Sequence, residues 1–428
     1  MRNPTPLALA ALLLGTSVSA QVAVPPTSQS EPDPSISGGV LQDVALWVSP
    51  GAPSSSLLLT AYSSPNAGLV TFGVGGEQLD AELTDGPMSA VAVRDGFPLS
   101  GVQQTLAVTA SVNLNGLVAY TVDPDRSDRV VRIGAGSFLT GTQFSAVALS
   151  QSQDSGRFYV FAGTSTGVLQ QYELAGDNGF VEATLVRTLT TAGPIAGLAV
   201  DEASDSLFVT QQGQGLWRYA LAADAALTGQ QLAVQGTGGL STNVGRVALY
   251  RARNGEGYIL VADTGADAFA VYERRARTYV GAFRLADDDG GVIRANDPVA
   301  LAVSASSLGT AYPDGLFVGG DALSNPQRLQ FAAWPAVAGA FDPALRIDTR
   351  FDSDGGTDGG TDAGSTDGGG VIGGPGPQQP GTGLPPDDSG CSCTSASVPA
   401  TAAFALLAWR GGPPPPRLMR VASGRAPR

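Results

Sequence analysis

Residues 243–285 read NVGRVALY, RARNGE, GYILVAD, TGA, DAFAVYE, RRAR and TYVGAFRL. Four short apolar runs alternate with turns rich in Gly, Asn, Asp and Arg. Short runs joined by tight polar turns form an antiparallel sheet of four strands. One such sheet cannot cover both of its faces, so it needs neighbours of the same kind. The neighbours are present. An Ala followed by Leu or Val, inside a short apolar run, recurs at Ala45, Ala92, Ala148, Ala199, Ala248 and Ala302. The interval is roughly 50 residues, the size of a propeller blade. Each copy carries a second run (LLLTAY from Leu57, TLAVTA from Thr105, RFYVFAG from Arg157, SLFVTQ from Ser206, GYILVAD from Gly257, GLFVGG from Gly315). A third run follows, often ending near an aromatic, as in GLWRY from Gly215 and DAFAVY from Asp267. The pattern predicts an all-β chain folded as a six-bladed β-propeller, with the small residues of each first run at a crowded central channel. A long β-sandwich is the alternative, and the regular period counts against it. The aromatics Trp217, Tyr219, Phe269, Tyr272 and Trp334 read as packing between blades.

The rest of the chain divides around this core. Residues 1–20 have Arg2, an apolar core from Leu7 to Leu14 and Val18-Ser19-Ala20 before Gln21, the pattern of a secretory signal. Residues 21–37, rich in Pro, Ser and Glu, are expected to be an unstructured lead-in. The propeller is assigned to 38–347, with the segment near Gly39–Leu41 expected to close the ring on the last blade. Residues 348–390 are nearly free of apolar side chains and read as a flexible acidic spacer rich in Gly, Asp and Pro. Residues 391–428 hold Cys391 and Cys393, an apolar run from Val398 to Trp409 and five arginines. That order resembles the C-terminal sorting tails of bacterial surface proteins, notably of myxobacteria. It implies processing at the cysteines and retention of a secreted protein at the cell surface.

Composition excludes several chemistries. There is no histidine, and every one of the 24 Lys+Arg residues is an arginine. Ser-His triads, histidine acid phosphatases, Schiff-base chemistry and P-loop NTPases are therefore ruled out. A net charge of −14 argues against nucleic acid or an anionic membrane as partner. Any metal site must use oxygen ligands, which favour calcium or magnesium.

The propeller region resembles the β-propeller (alkaline) phytases. The residues that carry the likeness are Asp43-Val-Ala-Leu-Trp47, Phe97-Pro98-Leu99-Ser-Gly101, Gln171-Tyr172-Glu173-Leu174, and Ser206-Leu207-Phe208 leading to Leu216-Trp217-Arg218. They continue with Gly255-Glu-Gly257-Tyr258, Ala270-Val271-Tyr272-Glu273-Arg274, and Tyr312-Pro313 running to Phe317-Val318. The resemblance implies 3-phytase activity, calcium-dependent phosphate release from myo-inositol hexakisphosphate. It also implies a set of carboxylates at one channel mouth. There several calcium ions would activate water, and cationic side chains would hold phosphate.

Most of those positions are substituted. Gln42 stands where the first of two paired acids is expected and leaves Asp43. Ser89-Ala90-Val91-Ala92 falls in place of the Asn-Asn-x-Asp run, Asn113 in place of a phosphate-binding Arg, and Ser165 and Thr166 in place of a Lys-Glu pair. Ala196, Gln211, Gln212, Gly245 and Ala300 each stand where an acid is expected. Asp43, Asp297 and Asp321 remain as candidate metal ligands. The expectation is a phytase-like module whose catalytic residues are mostly gone. It would be a monomer and bind a small phosphorylated ligand, a surface protein or a polysaccharide. An active calcium-dependent phytase or phosphomonoesterase is the alternative.

Three other clusters have plainer readings. Asp287-Asp288-Asp289 could share a calcium ion but reads first as a hairpin tip. Asp123, Asp125 and Asp128 read as turn residues. Arg251, Arg253, Arg274, Arg275 and Arg277 could receive an anion, but read first as solvent-exposed partners of Glu256 and Glu273.

Overall fold

Runs such as Leu57–Ser63 and Gly257–Asp263, largely apolar and bounded by turn formers, satisfy their backbone groups in antiparallel ladders. The computed structural model describes residues 21–31, 36, 38–64, 66–287, 295, 297–322 and 327–349. The signal segment, nearly all of the acidic spacer and the Cys-containing tail lie outside these residues.

Two short strands come first, β1 (Val22–Val24) and β2 (Ser28–Gln29). Blade one is β3 (Val40–Trp47), β4 (Leu57–Ser63), β5 (Leu69–Gly73) and β6 (Gln78–Glu82). Blade two is β7 (Met88–Leu99), β8 (Val102–Ser111), β9 (Gly116–Val122) and β10 (Val130–Arg132), with β11 (Leu139–Thr140) also on β9. Blade three is β12 (Ala146–Gln151), β13 (Phe158–Gly163), β14 (Val168–Asp177) and β15 (Phe180–Thr190). Blade four is β16 (Ile195–Asp201), β17 (Ser206–Gln211), β18 (Gly215–Tyr219) and β19 (Gln230–Val234). Blade five is β20 (Val247–Arg251), β21 (Gly257–Asp263), β22 (Ala268–Glu273) and β23 (Tyr279–Leu285). Blade six is β24 (Leu301–Ser304), β25 (Leu316–Asp321) and β26 (Arg328–Ala333), followed by a short helix α1 (Trp334–Gly339).

The missing fourth strand of blade six is β2, which pairs antiparallel with β26 through Ser28↔Phe331 and Gln29↔Gln330. β1 adds to blade five, parallel to β23. Residues 21–37 are therefore not an unstructured lead-in throughout. Nor is the ring closed by Gly39–Leu41, because Val40 and Leu41 begin the first strand of blade one. Strands of two or three residues flanked by proline carry too little alternation to be read locally. Partners some 300 positions away supply the pattern that makes them strands.

Six hydrophobic clusters follow the six junctions between blades. One joins blades one and two through Trp47, Leu59, Val91 and Tyr120. Another joins six back to one through Leu41, Leu58, Val318 and Leu329, so the ring is sealed by packing as well as by β2. The junction of five and six is the most aromatic. Trp334 stacks on Tyr250 at 4.0 Å and 16°, and Phe269 meets Phe317 edge-on at 4.7 Å. Buried rings of this size remove the most water-exposed apolar area per residue. Phe269, Tyr272 and Trp334 are thus core, as expected, while Trp217 is only half-buried, stacked on Tyr219. Gly257 (φ +114) shows why some turns demand glycine. A Cβ there would lie 2.0 Å from the Tyr250 carbonyl oxygen.

The first strand of every blade faces the axis. Ala45, Ala92, Ala148, Ala199, Ala248 and Ala302 all line a central channel of about 170 Å³. Six inner strands converge there, and larger side chains at these positions would fill the space.

Candidate functional site

The inner strands all begin at one mouth of the channel, here the upper mouth. Three residues before each channel alanine stand Gln42, Ser89, Ser145, Ala196, Gly245 and Val299. The repeat therefore brings six backbone carbonyls to equivalent places around the axis. Blade five puts Arg246 next to this ring. Its Nε donates to Gln42 O at 3.1 Å, and its Nη1 to Ser145 O and Ala196 O, both at 2.8 Å. Its Nη2 donates to Ser89 O at 2.5 Å. Its backbone N–H donates to Val299 O at 3.2 Å. One residue of blade five thus bonds to the other five blades. A guanidinium has five N–H donors and no acceptor, and four carbonyls use most of that capacity.

Asp43 faces the same group. Its Oδ1 lies 3.2 Å from Arg246 Nε, with both side chains about nine-tenths buried. The carboxylate also accepts from the backbone N–H groups of Val44 at 3.0 Å and Val91 at 3.1 Å. Burial pushes the Asp43 carboxyl above its ordinary value, against the opposing pull of Arg246 and the two amides. Hydroxyls complete a girdle between blades. Ser89 Oγ donates to Phe144 O at 2.6 Å, Ser145 Oγ to Ile195 O at 2.7 Å, and Thr210 Oγ1 to Gly245 O at 2.6 Å.

The other expected positions are spread through the fold. Gln42 and Ala196 meet at the Arg246 ring through their carbonyls, while Ala92 lines the channel and Ala300 is buried. Gln211 is fully buried and structural. Its Oε1 accepts from the N–H groups of Ala192 and Gly193 at 3.0 and 3.2 Å, and its Nε2 lies 3.1 Å from Tyr219 Oη. Gln212 donates to Val244 O. Asn113, Ser165 and Thr166 are exposed in the β8–β9 and β13–β14 turns. Asp297 is set apart beside Asp267, whose carboxylate accepts its N–H at 2.7 Å. Burial first, and the Asp267 charge second, raise the Asp297 carboxyl. Asp321 is buried at the end of β25.

The resemblance places a lost acid at Gly245, where the strand leaves little room for a side chain. A Cβ at 245 would meet Val299 O at 3.0 Å and Pro298 O at 3.2 Å, so no long side chain fits. The residue that reaches the axis is its neighbour Arg246, which sequence reasoning passed over. The available signal was an Arg at a place where blades two, three, four and six carry only Ala or Gly (Ala90, Ala146, Gly197, Ala300). Gly245→Ala is expected to lower stability by about 1–3 kcal/mol through overpacking, read as a shift in denaturant midpoint at unchanged slope.

The arginines of blade five form no shared anion site. Arg274 is not a solvent-exposed partner of Glu256 or Glu273. It is buried and binds Asp201 of blade four through Nε at 2.8 Å and through Nη2. Arg251 donates to Val200 O, Arg253 pairs with Asp348 at 3.2 Å, and only Arg275 makes an exposed pairing with Glu256, at 3.6 Å. Asp123 accepts from the N–H of Asp125 in an exposed turn. Asp288 and Asp289 lie outside the described residues.

Two comparisons bear on this geometry. The family model for phytases matches residues 6–354. The 3-phytase of Bacillus subtilis (strain 168) is 28% identical over 326 residues, covering 73% of this chain and 84% of the relative. Such a family implies bound calcium, which needs several converging oxygen donors. Among the described residues, no three Asp, Glu, Cys or His side chains converge as a metal would need. The best oxygen ring already surrounds a fixed cation, and Asp43 is committed to it. These residues do not fit a multi-calcium centre.

Proposed function

Because the chain belongs to the phytase family, we propose that it is a non-catalytic member, working as a binding or structural module outside the cell. One observation carries the reading. Asp43, the acid retained at the start of blade one, is bound to Arg246 and two backbone amides rather than presented to a ligand. A carboxylate so committed is a poor calcium ligand. The phosphate-holding positions point the same way, because Asn113, Ser165 and Thr166 carry no charge. The signal segment and the Cys-apolar-Arg tail support export and retention at the cell surface, where a phosphorylated ligand, a protein or a polysaccharide would be bound.

The test is phosphate release from inositol hexakisphosphate by the purified chain, with and without millimolar calcium. The expected result is release no faster than the buffer blank under either condition. Calcium-dependent release that disappears in Asp297→Ala or Asp321→Ala would overturn the reading and establish an active calcium-dependent phytase.

A further inference from the structure

We propose that the upper mouth of the channel is a calcium-class cation site that this chain fills with its own guanidinium. Arg246 is then the resident cation of the propeller axis. The argument starts from the repeat. Because each blade enters its inner strand in the same register, Gln42, Ser89, Ser145 and Ala196 aim carbonyl oxygens at one point. Converging carbonyl dipoles build negative potential, and the Asp43 carboxylate adds a full charge to it. These acceptors are only partly buried, but with no donor among them and a buried carboxylate beside them they are best satisfied by a cation or by donors. Hard oxygens of this kind, several carbonyls and one carboxylate, are the donor set that suits a divalent ion such as calcium. Arg246 meets the need covalently. It brings one positive charge and N–H groups to all four oxygens, and it cannot dissociate.

Two consequences separate this from ordinary packing. The intact protein has no use for metal at its axis, so chelation leaves its melting unchanged. Removing the guanidinium leaves the four carbonyls and Asp43 around a gap that water and a divalent ion can enter. The inference does not rest on the chain being non-catalytic, since its readouts are melting and bound metal.

The experiment compares the intact chain with Arg246→Ala and Arg246→Lys, each melted in excess chelator and in millimolar calcium. Equilibrium dialysis against calcium runs in parallel. The intact chain is expected to melt at the same temperature in both conditions. Arg246→Ala should melt lower in chelator by about 10 °C, regain a substantial part of the loss in calcium, and bind about one more calcium per chain than the intact protein. Arg246→Lys keeps a cation with three donors, so it should melt between the two and stay indifferent to calcium. The proposal is overturned if Arg246→Ala neither regains stability nor binds additional calcium. It is equally overturned if Arg246→Lys melts no higher than Arg246→Ala in chelator, which would make the residue mere packing. Should Arg246→Ala fail to fold even with calcium present, the latent site is refuted, and the lysine variant still reports on the resident cation.

Discussion

Deletion of residues 21–30 is expected to abolish the single cooperative melt of the propeller. These residues contribute the outer strand of blade six and an added strand of blade five. Val24 is fully buried, and burying one valine is worth about 1.5–3 kcal/mol. The segment also makes a run of hydrogen bonds. The N–H of Thr27 donates to Phe331 O at 2.6 Å and that of Ser30 to Leu329 O at 2.9 Å. The Ala286 N–H donates to Val24 O at 3.0 Å, and the Leu329 N–H to Ser30 Oγ at 3.0 Å. At about 1 kcal/mol each, these bonds and the valine together exceed about 5 kcal/mol. That is comparable to the whole net stability of an ordinary domain, about 5–15 kcal/mol. The deletion also bares the edge of β26, an open row of N–H and C=O groups that invites association. Calorimetry should show a broadened transition at lower temperature, and light scattering should show oligomers. A truncated chain that melts as one sharp transition at the original temperature would mean that packing between blades six and one closes the ring unaided.

Arg274→Ala carries the second large effect. The side chains of Asp201 and Arg274 are 0% and 2% exposed, and the guanidinium also reaches Glu256 O at 3.2 Å. Removing one member of a buried pair strands the other, at about 3–5 kcal/mol. That corresponds to a fall of roughly 5–8 °C in melting temperature. The loss has a pH signature. Burial alone would raise the Asp201 carboxyl. The hydrogen bonds and charge of Arg274 outweigh it and hold the group below its ordinary value. A carboxylate depressed in the folded state contributes stability above its unfolded pKa and loses it as pH falls through the folded value. The gap between wild type and Arg274→Ala should therefore be widest near neutrality and narrow below about pH 4. A gap that stays constant down to about pH 3 would mean that Arg274 acts through packing alone.

The sequence announces the blades and hides what joins them. The channel alanines, spaced about 50 residues apart, and the short apolar runs between Gly and Asp turns are local signals, and they located all six inner strands. The N-terminal strands were missed because two or three residues between prolines have no period to detect. Arg274 was read as a surface group because its partner lies 73 residues upstream on the next blade. Gln211 was read as a lost acid. In the folded chain it caps two backbone amides of the loop before β16, a role visible only when that loop is in place. Arg246 illustrates the general reason. Its five partner blades are each about 50 residues or more away, so no window of sequence contains the ring that gives it meaning.

That ring also sets a gauge for blade number. A guanidinium has fixed reach, and here it touches carbonyls of four blades at 2.5–3.1 Å from a fifth. Adding a blade would widen the axis until the fork could no longer bridge it, and losing one would crowd the oxygens onto the nitrogens. Duplication or deletion of a whole repeat is the common way such arrays change length. In this chain it would break the contacts by which Arg246 joins its own blade to the other five.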